Sequence, residues 1–350
     1  MREYLSAVAG NAALRQRLGA ELVAGSLSHA YVIEGPAGSG KTTLALELAT
    51  ALACENRKNA EHPLPCRTCP TCRKILSGNS PDVIHVYREE DKTQMGVNTV
   101  RFLKNDVTAV PNDLFFKVYL IHDAHTMTQQ AQNAFLLTLE EPPAFVLFFL
   151  LAEDASALLE TIRSRAPILR MQPIEDGEIK RYLLSPACDG KLRSAAEELQ
   201  RSAPDELEAI LRMSGGYIGG VIPLLDESNR APLLKDRERI SEICRLLADG
   251  LQPQELMTTL LALGSKRGVV IDRLQLLKIA LRDLFALCYA DNAPLLFFTN
   301  DAAATELSES FTARRLLSAI QATDAALAAL SANANVRLTL FDLLGQLLAK

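Results

Sequence analysis

Gly35-Pro36-Ala37-Gly38-Ser39-Gly40-Lys41-Thr42 decides how this chain is read. The stretch fits the pattern GxxxxGK[ST], in which a glycine-rich turn opens a helix. Glycines let successive backbone N–H groups turn inward with no Cβ in the way. Those amides make a concave anion seat at a helix N-terminus, where the macrodipole also favours phosphate. In that arrangement Lys41 reaches the β- and γ-phosphates of ATP or ADP, and the Thr42 hydroxyl is placed for Mg²⁺, with Thr43 next on the first turn. The flanks agree: Ala30-Tyr31-Val32-Ile33-Glu34 reads as a short strand, and Thr43-Leu44-Ala45-Leu46-Glu47-Leu48-Ala49 as a helix. A chance glycine-rich turn would need neither flank.

The 350 residues leave room for two or three domains, and 48% hydrophobic with 23% charged residues is an ordinary globular composition. No apolar run reaches the ~20 residues of a membrane span. The stretch Met1-Arg2-Glu3-Tyr4-Leu5 lacks the apolar core of a signal peptide, so a cytoplasmic location is expected. A formal net charge of −5 excludes a chain coated in basic surface, so any DNA contact must be local.

Of seven cysteines, four lie close together: Cys54, then Cys66-Arg67-Thr68-Cys69-Pro70-Thr71-Cys72. Four thiolates at this spacing suit structural zinc in a module at about 54–79. His62 could compete as a ligand, and an iron–sulfur cluster or an unliganded loop are the rival readings. Cys188, Cys244 and Cys288 fall in apolar helical segments and are expected in the core.

Strand and helix signals then alternate. Asp82–Tyr87, Lys117–Asp123, Phe145–Leu151 and Ile168–Met171 read as strands; Thr99–Thr108, Ala131–Leu139 and Leu158–Ser164 read as helices. Such alternation predicts a doubly wound α/β domain with a parallel sheet, whose strand carboxyl ends face the ligand crevice. After Gln172 the strand signals stop. Three helices are expected over Asp176–Leu184, Leu192–Ser202 and Asp205–Met213, then a glycine break at 215–220. From Ala231 to Lys350, Leu and Ala recur at helical spacing, which predicts four or five further helices.

Several stretches together resemble the bacterial clamp-loader ATPases, the gamma/tau and delta-prime subunits of DNA polymerase III in the AAA+ class. They are His29-Ala30-Tyr31 before the P-loop, the cysteine insert after its helix, Asn133-Ala134-Phe135-Leu136-Leu137-Thr138-Leu139-Glu140-Glu141-Pro142-Pro143, and Thr161-Ile162-Arg163-Ser164-Arg165. The resemblance implies an AAA+ domain over 1–172, a small helical lid over 173–230 and an all-α collar over 231–350. It also implies a hetero-oligomeric ring with gamma/tau and delta partners, acting on a sliding clamp and primed DNA, with no membrane. Arg165 would be an arginine finger offered to a neighbour's ATP, and Ala166 stands where the family usually has cysteine. A small-molecule kinase would leave the cysteine insert and the Ser164-Arg165 pair without a role.

The chain departs from active members at four contacts. They end the third strand with Asp-Glu; here His122-Asp123 stands there, a degenerate Walker B element. Imidazole is a poor Mg²⁺ ligand, and Asp123 is one methylene shorter than the catalytic Glu. It cannot simply take the Mg²⁺ role either, if neighbouring strand residues point to opposite faces. Glu153 aligns with a sensor threonine and would repel the γ-phosphate, and Gly219 replaces a lid arginine. The resemblance therefore points to the delta-prime branch, a stator with weak or absent ATPase activity and doubtful Mg²⁺ binding. An active gamma/tau-type motor is the alternative.

Overall fold

The computed structural model describes the chain apart from residues 1, 90, 91, 187, 251, 252, 291, 292, 294, 299, 300, 349 and 350. The expected domain limits at residues 1 and 350 therefore lie outside the described residues. The chain divides into two compact units: residues 1–194 with 216–220, and residues 195–215 with 221–350.

The first unit is built on five parallel strands: β1 (Ala30–Glu34), β2 (Val83–Val86), β3 (Lys117–Ile121), β4 (Val146–Ala152) and β5 (Ile168–Arg170). Their order is β2-β3-β4-β1-β5, with β1 between β4 and β5. Helices in this unit are α1 (Ala12–Ala24), α2 (Lys41–Ala53), α3 (Pro70–Leu76), α4 (Val97–Asp106), α5 (Gln129–Glu140), α6 (Glu160–Arg163) and α7 (Asp176–Leu183). Helix α8 (Gly190–Ser202) crosses the boundary between units.

Alternation along the strands sorts side chains into two layers, because successive Cβ atoms point to opposite faces. Tyr31, Ile33, Val118, Leu120, Phe149 and Leu151 join Leu44 and Leu48 of α2 in one core. Val32, Tyr119, Ile121, Phe148 and Leu150 join Leu103 of α4 and Phe135 of α5 in the other. A strand covered on both faces carries no polar side, which is why Val146–Ala152 reads as a continuous apolar run. Each fully buried Leu or Phe contributes about 1.5–3 kcal/mol, so this double burial fixes the carboxyl edge of the sheet where the P-loop lies.

The second unit contains α9 (Pro204–Met213) and, after the short α10 (Ile218–Val221), helices α11 (Glu227–Ala248), α12 (Pro253–Leu261), α13 (Arg267–Leu287), α14 (Asp301–Glu309), α15 (Ala313–Ser331) and α16 (Val336–Leu348). Among the described residues, six helices after residue 226 replace the expected four or five, because breaks at residues 262–266 and 310–312 divide stretches that share one apolar periodicity. Ile240, Ile243, Leu247, Leu274, Leu277, Leu281 and Leu284 are all buried in its core. Cys188 and Cys244 are buried as expected, but Cys288 is exposed at the end of α13. Cys188 lies in a bend rather than a helix. No helix among the described residues is long and apolar enough to cross a membrane.

Candidate functional site

The glycine-rich turn joins β1 to α2, and its glycines are needed where the sequence puts them. Gly38 (φ +75°) and Gly40 (φ +89°) both lie in the left-handed region that L side chains avoid. Gly40 caps α2 without any side-chain acceptor, so the first amides of the helix are left to a ligand. Lys41 Nζ donates to the carbonyls of Gly35 (2.7 Å) and Pro36 (2.8 Å). Burial lowers the pKa of Lys41 from its usual value, and the negative charges of Glu153 and Asp123 oppose that shift. Ser39 Oγ is buried with no hydrogen-bond partner among the described residues. A turn with two left-handed glycines, an uncapped helix start, a Lys ammonium and an orphaned hydroxyl fits a phosphate group.

Two strands over, beyond β4, the element expected to carry His122 and Asp123 as strand residues ends early. β3 stops at Ile121, and Asp123 adopts a left-handed conformation (φ 50°) in a turn. Strand alternation therefore does not govern where the Asp123 carboxylate points; the turn does. His122 still donates its backbone N–H to Val86 O (2.9 Å), and its Nε2 lies 2.9 Å from Nδ1 of His85. The Tyr87 ring stacks on His122 with centroids 4.2 Å apart. Burial, reinforced by His85, lowers His122 to about 4.

Glu153 sits just after β4, and its backbone N–H donates to His125 Nδ1 (3.3 Å). Gly219 is held against the glycine-rich turn: its N–H donates to Gly38 O (3.0 Å). Arg165 follows α6, where Nη1 donates to Thr161 O (3.0 Å) and Nη2 lies 2.7 Å from Glu140 Oε1. Ala166 is fully buried, so a small residue is required there.

The four cysteines converge. Sγ atoms of Cys54, Cys66, Cys69 and Cys72 lie within 4.8 Å of one another, and all four residues are buried. Cys54 ends α2, while Cys69 caps α3, whose Pro70 start places Cys72 one turn on. Backbone N–H groups of Cys66, Cys69 and Cys72 donate to the sulfurs of Cys54, Cys66 and Cys69, each at 3.4 Å. Burial opposes ionisation of Cys66, yet hydrogen bonds with Asn56, Thr68 and Cys69 bring it down to about 5. Burial raises Cys54 and Cys72. Tetrahedral Zn–S bonds of about 2.3 Å put sulfurs about 3.8 Å apart, close to the 4.0 Å between Cys66 and Cys72. The donor set thus fits one tetrahedral metal ion, and His62 is not part of it.

Residues 10–175 match the family described as DNA polymerase III, delta subunit. The chain is 27% identical over 305 residues to DNA polymerase III subunit gamma of Buchnera aphidicola, covering 84% of this chain and 80% of that one. It is 30% identical over 277 residues to subunit tau of Bacillus subtilis, covering 71% of this chain and 47% of that one. The chain is homologous to the gamma and tau subunits of DNA polymerase III. A solved gamma-subunit-related protein of Thermotoga maritima aligns over 95% of this chain and 97% of its own, with 18% identity and a TM-score of 0.48. The chain spans less than half of the Bacillus tau subunit, as it does of the Escherichia coli one (32% identical; 30% of that chain covered).

Three parts of the site escaped the sequence reading. His85 was legible only as a strand residue; the register Val86↔Ile121 carries it beside His122. Glu140 lies in the Leu139-Glu140-Glu141-Pro142 stretch, where nothing local announces Arg165 as its partner. Arg67, between two cysteines, reaches Glu47 of α2 at 3.3 Å, tying the cysteine module to the helix that the glycine-rich turn opens.

Proposed function

We propose that this chain is a delta-prime-type subunit of the DNA polymerase III clamp loader, a stator that helps load the sliding clamp onto primed DNA in the bacterial cytoplasm. In this reading the first 172 residues form the nucleotide-binding domain, 173–230 a lid and 231–350 a collar. Arg165 meets the ATP of a gamma/tau neighbour, delta completes the ring, and Cys54, Cys66, Cys69 and Cys72 hold a structural Zn²⁺. Gly35, Pro36, Ala37, Gly38, Ser39, Gly40, Lys41, Thr42 and Thr43 can take ATP or ADP, whose phosphate charge Lys41 offsets.

The observation that carries the stator reading is the engagement of His122 with His85 where an active ATPase needs a hard oxygen ligand for Mg²⁺. The charges of Asp123 and Glu153 both act on Lys41, which opposes binding of a further anion. The alternative, an active gamma/tau-type ATPase, is favoured by the intact glycine-rich turn and by relatives named gamma and tau. Steady-state hydrolysis by the purified chain, with Lys41→Ala as control, decides between them. A Lys41-dependent rate of ~1 s⁻¹, within the ordinary enzyme range, overturns the stator reading; a rate at the Lys41→Ala level supports it.

A further inference from the structure

We infer that His85 and His122 form a seat for a borderline divalent cation such as Zn²⁺, separate from the four-cysteine set. The two nitrogens, Nδ1 of His85 and Nε2 of His122, face each other at 2.9 Å. Ring centroids 5.2 Å apart with planes 18° apart mean the imidazoles meet edge to edge rather than face to face. Sheet geometry sets this approach. His85 lies in β2, and His122 follows β3 directly with its backbone still bonded to Val86. The Tyr87 ring lies over His122 at 16°, and its hydroxyl is 3.4 Å from His85 Nδ1. The two nitrogens are therefore brought together before any ion arrives.

The chemistry suits a metal of intermediate softness. A metal takes imidazole in its neutral form. In the N–H···N contact one ring donates and the other accepts. An entering cation takes both facing lone pairs once the donor ring shifts its proton to its other nitrogen, so no proton need leave the pair. Zn–N bonds of about 2.0–2.1 Å in a tetrahedral site separate the nitrogens by roughly 3.4 Å and need each ring to swing its lone pair off the N···N line, a movement open to two side chains that both reach solvent. Mg²⁺ is excluded by its demand for oxygen, whereas imidazole suits Zn²⁺, Ni²⁺ and Cu²⁺. This inference does not depend on the assignment to the clamp loader.

Calorimetric titration of the full chain with Zn²⁺ alone, at pH 7.5 and without nucleotide, tests it. Wild type takes up two equivalents. His85→Ala and His122→Ala each take up only the tighter one, His125→Ala keeps both, and Cys69→Ser loses the tighter one while keeping the imidazole site. Imidazole ¹⁵N spectra of the wild type give a second readout that needs no variant: the His85 and His122 nitrogens shift during addition of the second equivalent. Uptake by wild type that ends with the cysteine site, or an unchanged second equivalent in His122→Ala, overturns the proposal.

Discussion

Gly219 donates its amide to the Gly38 carbonyl at 3.0 Å, and a Cβ built on Gly219 would stand 2.3 Å from the Gly38 Cα. The glycine that looks in the sequence like a missing arginine is therefore required by backbone contact with the glycine-rich turn. Gly219→Arg is expected to displace residues 216–220 rather than to restore a phosphate contact. Overpacking of this kind typically costs about 1–3 kcal/mol, which a urea unfolding midpoint reads directly. A Gly219→Arg chain as stable as wild type and binding ATP more tightly would show that the contact is not constraining.

Replacing Cys69 by Ser removes one of four sulfurs and also the cap of α3, since Cys69 Sγ accepts from Cys72 N–H. The variant is expected to lose the zinc proposed for the four cysteines and to loosen residues 54–79, while the sheet core stays folded. Loss of a structural ligand abolishes the site because three thiolates do not close a tetrahedral shell. Elemental analysis after chelator dialysis checks the metal, and hydrogen exchange checks where order is lost. Full zinc retention in Cys69→Ser would refute the ligand assignment.

Much of this was legible because the signals are local. The glycine-rich turn, the four cysteines and the double-faced strand at Val146–Ala152 each follow from spacing and period alone. The missing parts depend on distance in sequence. His85 meets His122 only because β2 and β3 are neighbours, a fact of topology that no local window contains. Arg67 turns toward Glu47 from a left-handed residue inside the cysteine loop, and Glu140 meets Arg165 across 25 positions. Asp123 misled for a similar reason: the strand pattern ran on in the sequence, but the backbone turned at His122.

His122 gives a pH signature. Its pKa falls from 6.5 to about 4 in the folded chain through burial first and His85 second, so the unfolded chain binds more protons between those values. The sign follows: the contribution of His122 is complete above pH 6.5 and shrinks as pH drops toward 4. His122→Gln lacks that titration. The difference in unfolding free energy between wild type and His122→Gln should therefore shift against wild type from pH 7.5 to 5, measured by urea denaturation in chelator. A pH-independent difference would mean the imidazole is not held neutral by the fold.

Arg165 and Glu140 form a half-exposed ion pair at 2.7 Å. Pairs of this exposure contribute about 0–1 kcal/mol, so Arg165→Ala should leave the fold of this chain and its nucleotide binding nearly unchanged. A guanidinium that reaches a neighbour's phosphates is another matter: such fingers are worth about 10³–10⁵ in rate at the site they serve. Reconstituted complexes carrying Arg165→Ala should assemble normally yet lose most of the hydrolysis at the one active site that borders this subunit. Lys41→Ala should do the reverse, removing nucleotide from this chain with little effect on turnover by the complex. Glu140→Gln separates the two roles of the pair. It releases Arg165 from a charge while keeping the side-chain length, so hydrolysis should hold or rise if Glu140 only holds the finger aside, and fall if Glu140 aims it. Arg165→Ala complexes that hydrolyse ATP at the wild-type rate would leave Arg165 as a partner of Glu140 and nothing more.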